Sequence, residues 1–398
     1  MLIYKFDMMQ TLTLAAIVLL VGRAIKHRVP FFEKFFIPSP VIGGVLYSII
    51  TLIGHSTQTF EFTYDGALKT LFMIAFFTTI GFAASFKLLK KGGIQVGIFL
   101  ALATVLVILQ NVAGISMAKA FGLHPLMGLA VGSVPLTGGH GTSGAFGPIL
   151  EAAGADGALA VAIASATFGL VAGCMIGGPI GKRLMNKFNL KPTDTDQGAQ
   201  HVESIDTVHE TITETTIMNT VYLITLCMGF GTLVGMIFKK AGIVLPSYIG
   251  PMLVAAIIRN IYDAKGLNLH HKSVDAIGNI SLSLFLAMAL MTMRLWDLAA
   301  LAIPLVVMLV VQTLIMATFA YFVTYNIMGR DYDGAVMACG HCGFGMGATP
   351  NAMANMESFT AANYPSAKSF FVLPLVGALF IDFFNASIIT FFVGMFGN

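Results

Sequence analysis

The sequence has few charged residues. Asp, Glu, Lys and Arg together make up 10% of its 398 residues, whereas an ordinary soluble domain has about 25%. Hydrophobic residues make up 57%, and the mean hydropathy is +0.84. So few charges cannot cover the aqueous surface of a soluble protein of this length, which indicates an integral membrane protein. The net charge of +3 is too small and scattered for a nucleic-acid surface, so no nucleic-acid partner is expected.

Cysteine is also scarce. The four cysteines, Cys174, Cys227, Cys339 and Cys342, all lie in apolar stretches, so no disulfide framework is indicated. Cys339 and Cys342 have the spacing of some metal ligands, but the related stretch around His140 has no cysteine. We therefore expect no transition-metal site.

Ten apolar stretches are long enough to cross a membrane, for which a helix needs about 20 residues. They cover residues 8–25, 38–54, 67–86, 94–118, 158–181, 217–238, 245–262, 274–293, 299–327 and 369–393. The first has no cleavage site after it and is predicted to be retained. Two further apolar stretches, 124–153 and 331–361, are rich in Gly and Pro and are predicted to be re-entrant hairpins. Residues 186–216 are polar and are predicted to be a cytoplasmic linker.

The distribution of Lys and Arg predicts the orientation, because cytoplasmic loops are enriched in both. With the N-terminus outside, the cytoplasmic side has Arg23, Lys26, Arg28, Lys34, Lys87, Lys90, Lys91, Lys182, Arg183, Lys187, Lys191, Arg259, Lys265, Lys272, Arg330 and Lys368. The outer side has Lys5, Lys69, Lys119, Lys239, Lys240 and Arg294. This imbalance predicts ten crossings with both termini outside.

The two halves of the chain repeat one pattern. IPS at 37–39, followed by VIGG, recurs as LPS at 245–247, followed by YIGP. Gln110 precedes GLHPLMGLAVGSVPLTGGHGTSG, and Gln312 precedes GRDYDGAVMACGHCGFGMGATP. Because each half has five spans, an odd number, the second must be inverted. We predict an all-α integral membrane protein with two inverted-topology repeats of five transmembrane helices, residues 1–185 and 217–398, each with one re-entrant hairpin. A duplicated bundle, as in some channels, is the alternative.

Both predicted hairpin tips are dense in glycine, which costs a helix about 1 kcal/mol per residue relative to Ala. This density predicts unwound backbone whose carbonyls bind a cation and whose helix N-termini hold a carboxylate. The alternative is that the glycines allow close helix packing. The predicted substrate-binding residues are Thr137, Gly138, Gly139, His140, Gly141, Thr142, Gly340, His341, Gly343, Gly345, Thr349 and Asn351.

Several polar side chains lie inside apolar stretches. His140 and His341 either contact substrate, carry a proton, or hydrogen-bond to their own loops. Asp382 is the one charged residue between Phe370 and the C-terminus, and an ionisable group in a membrane costs about 2.5 to 3.5 kcal/mol. With Asn385 on the same helical face, it predicts a pair that binds a small hard cation or the ammonium group of the substrate; a structural hydrogen bond is the alternative.

Amide side chains also occur inside two predicted spans. Gln110, Asn111 and Gln312 need hydrogen-bond partners there and are expected to tie helices together.

The segments LTGGHGT, GHCGFGMGATP, NISLSLFLAMALM and IPSPVIGG resemble the bacterial glutamate:sodium symporter family over nearly the whole chain. The resemblance places the family's glycine-rich loops on residues 137–142 and 340–350. It implies uptake of L-glutamate with Na⁺ as the coupling ion, and no cofactor. It also implies a multi-pass protein of the bacterial inner membrane with periplasmic termini. We expect contact with membrane lipids and, because a static scaffold usually needs a partner, a homodimer.

The charge of glutamate favours cation coupling, because moving one negative charge into a negative interior costs about 2.3 kcal/mol per 100 mV. Glutamate would lie between the tips, with its carboxylates on loop amides and on the hydroxyls of Thr137, Thr142 and Thr349. The hairpin-bearing parts would move against a scaffold formed by the early spans, an elevator-like form of alternating access.

Other functions make different demands on these residues. One alternative is a sodium- or proton-coupled symporter of another small carboxylate. A channel would use the same tips as a filter. A membrane hydrolase would need a nucleophile and a base, and Cys342 with His341 or His140 lacks an acid at recognisable spacing, so we expect no enzyme.

Overall fold

A computed structural model describes residues 2–34, 37–87, 93–191, 211–240, 247–293, 295 and 301–397. Most of the predicted linker, residues 192–210, lies outside the described residues. The same holds for Lys90, Lys91 and Arg294 of the charge pattern and for residues 245–246 of the second repeat motif.

The chain is mainly helical. In order, the described helices are α1 (Met8–Arg28), α2 (Pro30–Lys34), α3 (Ser39–Ser56), α4 (Ala67–Ala83), α5 (Gly93–Ala120), α6 (Met127–Ala130), α7 (Gly139–Ala152), α8 (Ala158–Phe188), α9 (Glu214–Lys240), α10 (Ile249–Lys265), α11 (His271–Met291), α12 (Ala302–Thr318), α13 (Tyr325–Ile327), α14 (Tyr332–Met346), α15 (Thr349–Ala361), α16 (Ala367–Leu379) and α17 (Ile381–Phe396). A π-helical turn, Phe319–Thr324, joins α12 to α13.

Among the described residues, seven helices are long and apolar enough to cross a membrane, or eight if α16 and α17 form one bent span. The remaining predicted spans contain α4 and α10, which have 17 residues each. The last predicted span is not straight, because α16 and α17 meet at a 45° bend. The prediction of a multi-pass helical membrane protein is therefore confirmed.

A small sheet departs from the all-α prediction. Leu2–Phe6 (β1) pairs in parallel with Phe60–Tyr64 (β2). Both segments are rich in aromatic residues, which favour strands, and the rings of Phe6 and Tyr64 stack with their centroids 5.7 Å apart. The sheet joins the start of α1 to the loop after α3.

The helices form two bundles. Helices α1, α3, α4, α9, α10 and α11 pack on one another and are called the frame bundle. Helices α5 to α8 and α12 to α17 pack on one another and are called the hairpin bundle, because both predicted hairpins belong to it. Each bundle combines helices from both halves of the chain.

The contact between the bundles is largely apolar. Helix α7 of the hairpin bundle packs against α11 of the frame bundle. Phe77 stacks on Tyr248 in the frame, and the ring of Phe146 in α7 lies edge-on against both, with centroids 6.2 and 5.4 Å away. Tyr248 Oη also lies 3.3 Å from Thr390 Oγ1 of α17.

Candidate functional site

The first predicted hairpin changes from turns to a regular helix at its tip. Residues 131–138 form successive turns, and α7 begins at Gly139. Gly139 has φ +64°, in the left-handed region that favours glycine. A Cβ there would lie 3.0 Å from the carbonyl oxygen of Gly347. The tips of the two predicted hairpins are therefore in direct contact.

The helix in the second predicted hairpin ends later in the chain than expected. Helix α14 continues through Gly340, Gly343 and Gly345, and Gly347 and Ala348 alone separate it from α15. The expectation of unwound backbone from Gly340 to Gly345 is wrong. These glycines instead allow close packing: a Cβ at Gly343 would lie 2.7 Å from backbone atoms at the start of α15.

Helix α8 contributes a matching row of glycines. A Cβ at Gly169 would lie 2.1 Å from the carbonyl oxygen of Met346. A Cβ at Gly177 would lie 2.7 Å from the carbonyl oxygen of Cys339. Gly173 lies between Gly169 and Gly177 on the same face of α8. No larger residue could keep α8 and α14 this close, so the row fixes the position of the second tip.

Two helix N-termini meet where the tips touch. The residues preceding them, Gly138 and Ala348, provide no side-chain cap to α7 and α15. The backbone N–H groups of His140, Gly141 and Thr349 have no acceptor among the described residues. Free N–H groups and the positive end of the helix dipole both favour an anion.

Gln110 of α5 links the two tips. Its Nε2 donates to the carbonyl oxygen of Gly345, 2.7 Å away, and its Oε1 accepts from the hydroxyl of Thr137 at 2.8 Å. Gln312 Nε2 donates to the carbonyl oxygen of Gln110 at 2.8 Å. The prediction that these amides tie helices together is confirmed.

The two histidines occupy different environments. His140 lies in the first turn of α7, with its Nε2 3.0 Å from Thr167 Oγ1. His341 lies within α14, well before the break, with its Nδ1 2.9 Å from Thr324 Oγ1 in the π-helical turn. It is fully buried, and the ring of Phe99 packs edge-on against it. His341 is therefore not at the tip.

The predicted cation pair lies beside the first hairpin. Asn385 Nδ2 donates to the carbonyl oxygen of Ser133 at 3.2 Å, and Asn111 Oδ1 accepts from the backbone N–H of Ser133 at 2.9 Å. Asp382 is in the first turn of α17, directly after the bend, and its carboxylate makes no hydrogen bond or ion pair with the described residues. Sequence reasoning missed Ser133, although a serine inside an apolar hairpin arm was a usable signal.

The remaining predicted residues lie around this contact. Thr142 packs against Gly138, where a Cβ would lie 2.5 Å from that of Thr142. Asn351 is buried, and its Nδ2 donates to the carbonyl oxygen of Leu170 at 2.9 Å. Thr349 is half-buried, so the contact is accessible at the start of α15.

A cavity of about 1180 Å³ is lined mainly by α4, α9, α10 and α11 of the frame bundle. Its polar end is lined by Lys87, Arg259 and Asp263, at the ends of α4 and α10. Its other end reaches Ala378 and Leu379, just before the bend that leads to Asp382.

Comparison with known proteins gives a consistent result. The family model described as Sodium/glutamate symporter matches residues 4–365. The chain is 42% identical over 398 residues to the sodium/glutamate symporter of Escherichia coli (strain K12), covering 98% of each chain. It is 40% identical over 395 residues to the sodium/glutamate symporter of Haemophilus influenzae (strain ATCC 51907 / DSM 11121 / KW20 / Rd), covering 97% of each.

Proposed function

Because this chain belongs to the sodium/glutamate symporter family, we infer that it takes up L-glutamate together with Na⁺ across the bacterial inner membrane. It is a transporter and not an enzyme. The observation that carries the assignment of a site is the meeting of two uncapped helix N-termini, α7 and α15, at the contact between the tips.

Glutamate, with two carboxylates, suits two helix N-termini. One carboxylate lies at the free N–H groups of His140 and Gly141, and the other at that of Thr349. The hydroxyl of Thr137 already donates to Gln110, so its role is to hold the tip rather than to bind the substrate. His140 and His341 each form a hydrogen bond with a threonine hydroxyl, which supports a positioning role for both side chains.

Sodium offsets the negative charge of glutamate and binds at Asp382 and Asn385. The unpaired carboxylate of Asp382 supports this proposal, since a half-buried carboxylate without a partner in an apolar segment favours a cation. The two helices on either side of the bend each contact one hairpin, because Gly377 of α16 packs against Thr349 and Asn385 of α17 bonds to Ser133. Asp382 lies between these contacts, so its ion is coupled to both tips.

The hairpin bundle moves against the frame bundle during transport. The apolar contact around Phe77, Phe146 and Tyr248 supports sliding, because few polar partners need to be exchanged. The cavity that reaches Leu379 is the route to the cytoplasm. The frame bundle forms a homodimer interface within the lipid bilayer.

The chain has ten spans in two inverted repeats, residues 1–185 and 217–398, joined by a cytoplasmic linker, with both termini periplasmic. The first two helices of each half pack closely against each other at a glycine, and this correspondence supports the repeat. A Cβ at Gly22 of α1 would lie 2.8 Å from the backbone N of Gly43 in α3. In the second half, a Cβ at Gly231 of α9 would lie 2.2 Å from the backbone N of Pro251 in α10. The hairpins enter from opposite sides, and their tips meet at the midplane.

Uptake of labelled glutamate into vesicles containing the purified protein tests the function. We expect accumulation with an inward Na⁺ gradient, and none with K⁺ or with a proton gradient alone. Uptake driven by protons without Na⁺ would favour the alternative of a proton-coupled symporter, and flux that does not saturate would favour a channel.

The site is tested by placing a charge beside it. Ala348 has an extended backbone at the start of α15, so Ala348→Asp puts a carboxylate next to the free N–H of Thr349. We expect the KM for glutamate to rise about tenfold. Ala348→Asn has nearly the same shape without the charge and is the matched control. KM values for both variants equal to that of the unmodified protein would remove this helix end from the substrate site.

A further inference from the structure

Three buried polar atoms around Ser133 have no hydrogen-bond partner among the described residues. They are Ser133 Oγ, Asn385 Oδ1 and Asn111 Nδ2. The exposed fraction is 0% for Ser133 and Asn111 and 1% for Asn385, so bulk water does not reach them. A buried polar group without a partner costs about 1 to 3 kcal/mol. Asn111 Nδ2 is a donor and cannot bind a cation, but the two oxygen atoms on mutually bonded residues indicate a missing ligand.

The existing hydrogen bonds fix the direction of these atoms. Asn385 Nδ2 donates to the carbonyl oxygen of Ser133, so its Oδ1 must point elsewhere. Exchanging Oδ1 and Nδ2 of Asn385 would place Oδ1 against the carbonyl oxygen of Ser133, and both atoms are hydrogen-bond acceptors. Asn111 Oδ1 likewise accepts from the N–H of Ser133. Two oxygen atoms, Ser133 Oγ and Asn385 Oδ1, are thus left on neighbouring residues with nothing to bind.

A negative charge is available on the same helix. Asp382 lies three residues before Asn385, and residues at this spacing are neighbours on one face of a helix. The carboxylate of Asp382 has no partner among the described residues. A carboxylate, an amide oxygen and a hydroxyl are the oxygen ligands that small hard cations prefer.

We infer that Na⁺ binds between α17 and the first hairpin, with Ser133 Oγ as a ligand beside Asn385 Oδ1 and the carboxylate of Asp382. The inference rests on the proposed function and adds Ser133 to the cation site. Asn111 is a positioning residue, because it holds the backbone of Ser133. The ion joins α17 to the arm that leads to Thr137, so its binding orders the first tip.

The position of Ser133 explains how sodium and glutamate could be coupled. Four residues separate Ser133 from Gly138, and the N–H of Gly138 donates to the carbonyl oxygen of Ser133 at 2.9 Å. That same carbonyl oxygen accepts from Asn385. Displacement of Ser133 when the ion leaves would therefore shift the start of α7, where the substrate carboxylate is proposed to bind.

The test is the dependence of glutamate uptake on Na⁺ concentration in Ser133→Ala. We expect its half-saturating Na⁺ concentration to rise about tenfold, as for loss of one ligand. Ser165→Ala is the matched control, because Ser165 is also fully buried and its Oγ also lacks a partner. We expect the Na⁺ dependence of this variant to match that of the unmodified protein.

A second readout separates an ion ligand from a serine that only binds a structural water. With Li⁺ in place of Na⁺, loss of a ligand should change the ratio of half-saturating Li⁺ and Na⁺ concentrations, because selectivity depends on ligand number and site size. Loss of a structural water should lower thermal stability equally in NaCl and KCl and leave that ratio unchanged, which would overturn the inference.

If Ser133→Ala folds poorly, Ser133→Thr, which keeps the hydroxyl, serves as the second variant in the test. We expect this variant to retain the Na⁺ dependence, and a tenfold loss there would contradict the inference. Failure of the inference can be told from failure of the proposed function. If the unmodified protein shows no Na⁺-driven uptake, the function fails; if it does and Ser133→Ala has unchanged Na⁺ and Li⁺ dependence, only the assignment of Ser133 fails.

Discussion

The two predicted hairpins have similar glycine content but differ in structure. The arm before the first tip is a series of turns that contains Ser133, with its unpaired hydroxyl. The arm before the second tip is the regular helix α14, and its glycines contact neighbouring backbone and side chains closely. Glycine in the first hairpin permits an unusual backbone at Gly139 in addition to close packing at Gly128 and Gly144, whereas glycine in the second permits close packing alone.

The comparison shows that glycine density alone does not locate a binding backbone. Unpaired polar atoms are the more informative feature, because burying them without a ligand is costly. They occur at His140, Gly141 and Ser133 in the first hairpin, and at His341 Nε2 and the start of α15 in the second. We therefore expect the first hairpin to respond mainly through ligand binding, and α14 mainly through stability.

The largest effect is expected from a side chain placed between α8 and α14, where the two helices are in close contact. In Gly169→Ala the new Cβ would lie 2.1 Å from the carbonyl oxygen of Met346, a backbone atom that cannot rotate away. We expect a loss of about 1 to 3 kcal/mol of stability, a lower melting temperature and loss of glutamate uptake. The measurements are thermal unfolding in detergent and uptake into vesicles.

Gly178→Ala is the matched control for this prediction. Gly178 lies in the same helix, and a Cβ there would have no atom within 4 Å. We expect near-normal stability and uptake. A similar melting temperature for both variants would show that α8 and α14 do not need close contact.

A smaller effect on glutamate uptake is expected when the hydrogen-bonded link between the tips is cut. Gln110→Leu leaves the hydroxyl of Thr137 and the carbonyl oxygen of Gly345 without their partner, at a cost of about 1 to 3 kcal/mol per buried group. We expect uptake to fall about tenfold. Gln95→Leu, near the start of the same helix, is the control and should retain most of the activity. Normal uptake by Gln110→Leu would show that the tips function without this link.

Much of the helix order could be predicted from the sequence. Apolar length located the seven helices that are long enough to cross a membrane and the bent pair α16 and α17. The predicted first tip, residues 137–142, contains the observed start of α7 at Gly139. The amide ties of Gln110 and Gln312 were also predictable, because an amide in an apolar span needs a partner.

Other features depend on distances that a sequence does not contain. Whether Gly343 unwinds a helix or packs it closely depends on how near α15 lies. The pairing of Leu2–Phe6 with Phe60–Tyr64 forms only after α1 and α3 have packed. The hydrogen bond between Asn385 and Ser133 joins residues far apart in the chain, and neither residue's local sequence indicates it.

The smallest expected effect concerns the two histidines. Thr324→Val removes the hydroxyl that contacts His341 and leaves both ring nitrogens of a fully buried histidine without a partner, since its Nε2 already lacks one among the described residues. We expect about 1 kcal/mol lower stability with little change in the KM for glutamate. Thr167→Val makes the same change beside His140, at the proposed substrate site, and should raise the KM severalfold with a smaller loss of stability. Thermal unfolding and uptake kinetics of the two variants would separate these roles, and identical behaviour would show that the two hairpins do not divide binding from stability.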